Sequence, residues 1–488
     1  MFCLAVTPIR FSIAVIAVLA AGLASVSALC QTAAHAVPPS ALELRVFDPS
    51  LIDKNVDPCD NFYRYSCNGW LKRNPLPADQ ASYGRFTELY ELNRKHLREI
   101  LEEAAVPSAT RTANEQKIGD DYASCMDAEA VNKLGLGPIE PELDRIAALK
   151  SVAELPALLA HLHSIGVNAF FGMGASQDFA DSSAMISFYN AGGLGLPERD
   201  YYTRTDAKSV EQRQQYGSHV SKIFALAGET EAQAGKDAET VLAIETRLAK
   251  ASLTITEQRD PQNLNHPTDV ASFEKELTHF SLVRYIAAAH APAAGKVNHS
   301  EPKFFAEFNA LVADTPIEQI GTYLRWHLLH TYAGTGLPES FDHESWNFYA
   351  HILNGAEKEQ DRWKRCTSRV DNELGEALGQ AYVAKYFPPA EKQRTLEMTL
   401  AIEQAMDKDI DGLNWMSAAT RVKAREKLHA VMNKIGYPDQ WRDYSTLEIV
   451  RGDSLGNEMR AHAFEHARDL AKIGKPVDKG EWQMTPPP

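Results

Sequence analysis

The sharpest chemical constellation in the sequence is His462-Ala463-Phe464-Glu465-His466. Two imidazoles one helical turn apart can offer nitrogens to one metal ion, and a carboxylate beside them can take a proton from bound water. The direct form, His-Glu-x-x-His, is absent: the His-Glu pair at His343-Glu344 is followed by Ser345, Trp346 and Asn347. No third ligand stands near the inverted motif, so the plainer reading of His462, Glu465 and His466 is a solvated helix face. His327 with His330, and His161 with His163, read as packing or surface histidines. Nucleophilic chemistry has no better footing, because no Gly-x-Ser-x-Gly elbow occurs. Gly193-Leu194-Gly195 lacks the third glycine of a dinucleotide fingerprint and leads into Pro197, so it reads as a turn. Residue chemistry alone therefore gives no catalytic residue and only a weak metal candidate.

Cysteine chemistry is more informative. Cys3 and Cys30 fall in an N-terminal segment with a secretory layout, and Cys59, Cys67, Cys125 and Cys366 remain. In an oxidising compartment four cysteines allow three pairings. Asp57-Pro58 suits a helix start and Asn68-Gly69 a helix end, which predicts a short helix over 58–67. Cys59 and Cys67 on that helix would stand roughly 12 Å apart, beyond the reach of a disulfide. Cys125 shares a helical face with Ile118 and Tyr122, and Cys366 with Trp363, Val370 and Leu374, so these two stripes can meet. Crossed pairing, free thiols and partners in other polypeptide all remain compatible with the spacing.

The elements that must position these residues are mostly helical. Phe86, Leu89, Tyr90, Leu97, Ile100 and Leu101 keep a 3.6-residue period, with Glu91 and Lys95 expected to pair on the exposed side. Similar periodicity covers 115–127, 210–227, 238–252, 323–332, 363–386 and 390–411. Ala184 to Tyr189 reads as a strand running into the turn at 190–197. The expected class is mainly α, a multi-helix lobe with a few short strands. No repeat of solenoid period is present.

The chain has 488 residues, 44% hydrophobic and 24% charged, enough for a large buried core. Acidic residues outnumber basic ones, 65 to 50, for a net charge of −15, which excludes a polyanion-binding class and predicts no nucleic-acid partner. Residues 11–23 are apolar, too few for a bilayer-spanning helix, and Ala34-His35-Ala36 offers a cleavage site. The expectation is a signal peptide over 1–36 and an exported, periplasmic or extracellular protein; a lipoprotein at Cys30 is disfavoured by Leu29 before it.

Several segments together resemble the neprilysin-type family of zinc metallopeptidases, which includes endothelin-converting enzymes and bacterial oligopeptidases. They are 57–70 (Asp-Pro-Cys-Asp-Asn-Phe-Tyr onward), 83–86, 117–127, 192–202 (Gly-Gly-Leu-Gly-Leu-Pro-Glu-Arg-Asp-Tyr-Tyr), 362–366, 414–417, 434–438, 472–478 and 481–486. The resemblance implies a two-lobed helical enzyme whose substrate-enclosing lobe corresponds to most of this chain. It implies a linker over 37–56, a helical domain over 57–470 and the start of a catalytic lobe over 471–488. Peptides are the implied substrates and zinc the implied family cofactor. The family's His-Glu-x-x-His helix follows the segment matched by 481–486, so this chain is expected to hold no zinc and to be inactive alone. A separate chain supplying the catalytic lobe is one implied partner. The resemblance pairs Cys125 with Cys366 and gives Cys59 and Cys67 partners in the catalytic lobe. Ser82 stands where some animal members carry an arginine, which speaks against exopeptidase-like docking. Two alternatives belong to other classes: a catalytically dead peptide-binding protein, and an independent metal enzyme built on His462, Glu465 and His466.

Overall fold

The computed structural model describes residues 48–293 and 295–486. The expected signal peptide, the Cys30 alternative and most of the 37–56 linker lie outside the described residues. The principal helices are α1 (Phe62–Arg73), α2 (Arg85–Ala105), α3 (Ala113–Met126), α4 (Leu155–Ser164), α5 (Ala207–Leu226) and α6 (Glu231–Ala251). They continue with α7 (Pro302–Asp314), α8 (Ile317–Tyr332), α9 (Arg362–Tyr386), α10 (Pro389–Gly412), α11 (Ala418–His429) and α12 (Ser454–Leu470). The mainly α class read from periodicity is the observed one.

Local chemistry sets most helix starts. Thr112 and Glu115 close a capping box on α3, while Asp206 and Thr230 cap α5 and α6 through their side-chain oxygens. The strands β1 (Phe171–Gln177), β2 (Met185–Ala191), β3 (Pro267–Thr268) and β4 (Val297–His299) form one sheet among the described residues, in the order β1-β2-β4-β3. β1 and β2 are antiparallel, β2 and β4 parallel. The sheet is continued on one side by 472–477: Met185 N donates to Lys475 O (3.0 Å) and Val477 N to Ser183 O (2.8 Å).

Two apolar cores hold the helices. The larger gathers α4 to α8 around the sheet, with Phe171, Phe224, Tyr285, Phe308, Trp326 and Leu329 fully buried. The smaller joins α2, α3 and α9 through Leu97, Leu101, Ile118, Tyr122, Val370 and Leu374. Helix α12 serves both, placing Leu455 and Leu470 in the first and Ala461 in the second.

The facing stripes of α3 and α9 carry the Cys125–Cys366 disulfide, with Cα atoms 5.7 Å apart and the half-cystines 241 positions apart in sequence. Closing so long a loop restricts the unfolded chain, so the Cys125→Ser, Cys366→Ser variant is expected to lose about 2–4 kcal/mol of stability, read from its urea midpoint. Cys59 and Cys67 are free thiols.

Three local expectations are corrected. Helix α1 starts at Phe62, capped by Asn61 Oδ1 accepting from Arg64 N (2.9 Å), while the Asp57 carboxylate holds the Cys59 amide in a preceding turn. It also runs through Asn68-Gly69 to Arg73. Gly69 ends nothing; it admits the 49–51 backbone, since a Cβ there would stand 2.6 Å from Leu51 O. On α2 the apolar stripe divides: Leu97, Ile100 and Leu101 are buried, whereas Phe86, Leu89 and Tyr90 face outward and Phe86 is 91% exposed. Glu91 is held by Arg94 (2.6 Å) and Lys364 (3.3 Å) rather than by Lys95, because α9 brings Lys364 against that face.

Candidate functional site

His462, Glu465 and His466 lie on α12, near its junction with the sheet and the small core. The helix packs on both sides, so these residues are half-buried, not on the solvated face expected from the sequence. The His462 ring fills the space over Gly166, where a Cβ would come 2.7 Å from its Cγ. Burial, with Arg369 nearby, holds its pKa below the usual range. His466 is likewise lowered by burial, and its Nε2 is shielded without a hydrogen-bond partner. Glu465 faces two cations: Oε1 accepts from Arg442 Nη1 (2.8 Å) and Oε2 from Arg468 Nε (2.9 Å). Both carboxylate oxygens are thus engaged by guanidinium groups.

Zinc requires three or four donors converging at about 2.0–2.3 Å. Among the described residues no group of three or more His, Cys, Asp or Glu side chains is placed to hold a metal ion. The donor set at His462, Glu465 and His466 does not fit zinc, because its carboxylate is already held by two arginines and no third donor among the described residues converges on it. Glu465→Gln is accordingly expected to leave metal content unchanged in elemental analysis and to lower stability by about 0.5–1 kcal/mol, since the two pairs are partly exposed.

The other histidine pairs are structural in their contacts. His161 Nε2 lies 2.6 Å from Glu142 Oε2. His163 is buried between Tyr285 Oη (2.8 Å) and Ala169 O (2.9 Å), and burial pushes its pKa down to about 4. His330 stacks on Trp326 with ring centroids 5.2 Å apart, and burial lowers it to about 3. His327 Nε2 is 3.2 Å from Glu245 Oε1.

Two buried charge networks went unread in the sequence. Glu245 on α6 accepts from Tyr202 Oη (2.8 Å), Tyr216 Oη (2.8 and 3.0 Å), Trp326 Nε1 (3.2 Å) and Gly195 N (3.2 Å). It thereby fixes the 192–202 segment against α5, α6 and α8. Gly193 in that segment has φ +70°, and Tyr323 Oη donates to its carbonyl (2.8 Å). The glycine-rich landmark is thus a tightly packed turn: a Cβ on Gly193 would stand 2.3 Å from Phe170 N, and its left-handed backbone favours glycine. On the seam between the two cores, Arg369 Nη2 meets Asp121 Oδ1 (2.8 Å), with Glu373 at 3.1 Å and Glu458 at 3.8 Å. Both networks left a signal. Glu245 falls on the core stripe with Val241, Ile244 and Leu248, and Arg369 and Glu373 on that of Cys366 and Val370.

The described residues form a helical lobe with a small mixed sheet and a disulfide joining the facing helices α3 and α9. Residues 58–438 match the sequence model of peptidase family M13, and the chain belongs to that family. Neprilysin-3 of Drosophila melanogaster is 27% identical over 89% of this chain and 58% of its own length. Endothelin-converting enzyme 1 of Homo sapiens is 27% identical over 90% of this chain and 59% of its own length. Among solved structures, the Mycobacterium tuberculosis zinc metalloprotease Zmp1 in complex with an inhibitor superposes with a TM-score of 0.84 at 32% identity, over 90% of this chain and 66% of that one. PepO of Lactobacillus rhamnosis shares the fold, with a TM-score of 0.79 at 18% identity. The chain spans less than two thirds of the length of these curated relatives.

Proposed function

We propose that the chain forms the substrate-enclosing lobe of an exported, neprilysin-like zinc metalloendopeptidase that acts on peptides. The observation that carries this reading is the family match over 58–438, together with the fold similarity to a zinc metalloprotease at 32% identity. In this reading the zinc ligands are not among the described residues, so cleavage needs polypeptide additional to them. Unmet surface supports the same view. Phe62 and Tyr63 on α1, Phe86 on α2, Met398, Ile402 and Met406 on α10, and Trp415 expose apolar area of the kind a second lobe covers. Cys59 and Cys67 stand close to the first of these patches as free thiols, available for bonds to that lobe. No helix among the described residues is long and apolar enough to cross a membrane.

Elemental analysis and a fluorogenic-peptide assay on the purified chain test the proposal. The expected result is sub-stoichiometric zinc and no chelator-sensitive cleavage. Stoichiometric zinc with cleavage abolished by chelator overturns it in favour of a metal centre within the chain.

A further inference from the structure

Two adjoining cavities, of about 660 and 640 Å³, open where α9, α10 and α12 meet the 432–442 and 478–485 segments. Both are lined by Arg442, Arg468, Glu481 and Trp482, so they form one continuous groove. Its two ends differ in chemistry. At one end Tyr437 and Trp441 stack with centroids 5.8 Å apart at 7°, beside Leu396, Met432 and Ile435. Lys392 fixes that wall, lying 4.2 Å from the Tyr437 ring centroid while donating to Tyr437 O (2.8 Å) and Asp439 (2.7 Å).

At the other end the charges do not cancel. Arg442 is spent on Glu376 and Glu465, Arg468 on Glu465 and Glu481, and Lys472 on Asp469 and Glu481. Asp371 on α9 is left over. Its Oδ1 is shielded and has no hydrogen-bond partner among the described residues, while the Thr485 hydroxyl hydrogen-bonds the carboxylate without bringing a charge. A shielded carboxylate without a cation is costly, and the cost is removed by a ligand that brings one. Burial pushes Asp371 up to about 7, which is the physical sign of that missing partner.

We propose that this groove binds a peptide segment carrying a basic side chain close to an aromatic one, the ammonium or guanidinium on Asp371 and the ring on the Tyr437–Trp441 wall. The inference rests on the peptide-handling reading above and gives it a sequence preference. The chain's net charge of −15 steers cationic peptides toward it.

The test uses a capped pentapeptide with one lysine and one phenylalanine, titrated calorimetrically into the chain at pH 8. Two control peptides replace the lysine by norleucine or the phenylalanine by alanine. The lysine peptide is expected to bind at least about tenfold more tightly than its norleucine control, the usual scale of one charge-assisted contact. Asp371→Asn removes that preference without further weakening the norleucine peptide, and Trp441→Ala removes the preference for phenylalanine. Lowering the pH from 8 to 6 weakens only the lysine peptide, as Asp371 takes up a proton among otherwise ion-paired neighbours Arg442, Glu465, Arg468, Asp469, Lys472 and Glu481. Circular dichroism and a urea midpoint matching the parent establish that each variant is folded. Equal binding of the lysine and norleucine peptides, or an Asp371→Asn variant that keeps the preference, overturns the subsite and leaves the enclosing-lobe reading standing. No saturable binding of any of the peptides overturns both.

Discussion

Replacing Arg369 by methionine is expected to destabilise the fold by roughly 3–5 kcal/mol, the range found when one partner of a buried ion pair is removed. The geometry explains why this is among the largest single effects in the chain. The guanidinium touches Asp121, Glu373 and Glu458 and also donates to Ser454 Oγ and O, both at 2.8 Å. Asp121 is wholly buried, and Asp121 Oδ2 and Glu373 Oε2 have no other hydrogen-bond partner. Methionine fills the volume and leaves three carboxyl groups facing one another on the seam between the two cores. Urea denaturation followed by tryptophan fluorescence reads the loss; an unchanged midpoint would mean that the cluster is tolerated without its cation.

The same cluster sets a pH dependence. Burial, then the Asp121 charge, raises Glu373 well above the ordinary carboxyl value of 4.5, and burial raises Glu458. The folded state therefore holds protons that the unfolded state releases. Their contribution is fully present below about pH 4.5 and is lost as pH rises through the raised folded values. Glu373→Gln keeps the shape while removing the group that must ionise, so its stability should fall less between pH 5 and 8 than that of the parent.

Glu245→Ala is expected to cost a similar amount, several kcal/mol, by a different route. Removing the carboxylate leaves two tyrosine hydroxyls, an indole N–H and the Gly195 amide without an acceptor in the larger core, each worth about 1–3 kcal/mol when unsatisfied, less whatever water recovers. Burial and the Glu245 charge hold Tyr202 and Tyr216 far above the ordinary phenol range, so neither can replace the lost anion. Glu245→Gln should recover part of the loss by retaining one acceptor oxygen. Hydrogen exchange at 193–202 is the direct readout: amides in that turn should open faster in both variants, and protection equal to the parent would show that the turn is held by packing alone.

Much of the architecture is legible in the sequence. Periodicity located α2, α3, α5, α6, α9 and α10, and alternating apolar residues located β2, because these patterns arise from local backbone geometry. The stripes carrying Cys125 and Cys366 were legible for the same reason, and the motif series led to the family to which the chain belongs. The start of α1 was misjudged by four residues because Asp57 and Asn61 are both competent caps, and only the local hydrogen bonds choose between them. Gly69 reads as a helix end because its role is to admit the 49–51 backbone, a segment that touches it in space but is remote from it in sequence.

The sequence by itself determined where most of the principal helices and the strand β2 form, which stripes are apolar and which family the motifs resemble; all of these follow from spacing within a few turns of chain. Tertiary structure alone decided what meets those faces. Periodicity marks a stripe but not its partner, so Phe86 lies open while Leu97 on the same helix is buried. It also decided the fate of the charged residues. Arg369 finds Asp121 across 248 positions and Glu245 finds Trp326 across 81, while arginines claim the Glu465 of the most promising metal motif and Asp371 is left without a cation. Those outcomes depend on long-range pairing and desolvation, which no local pattern encodes.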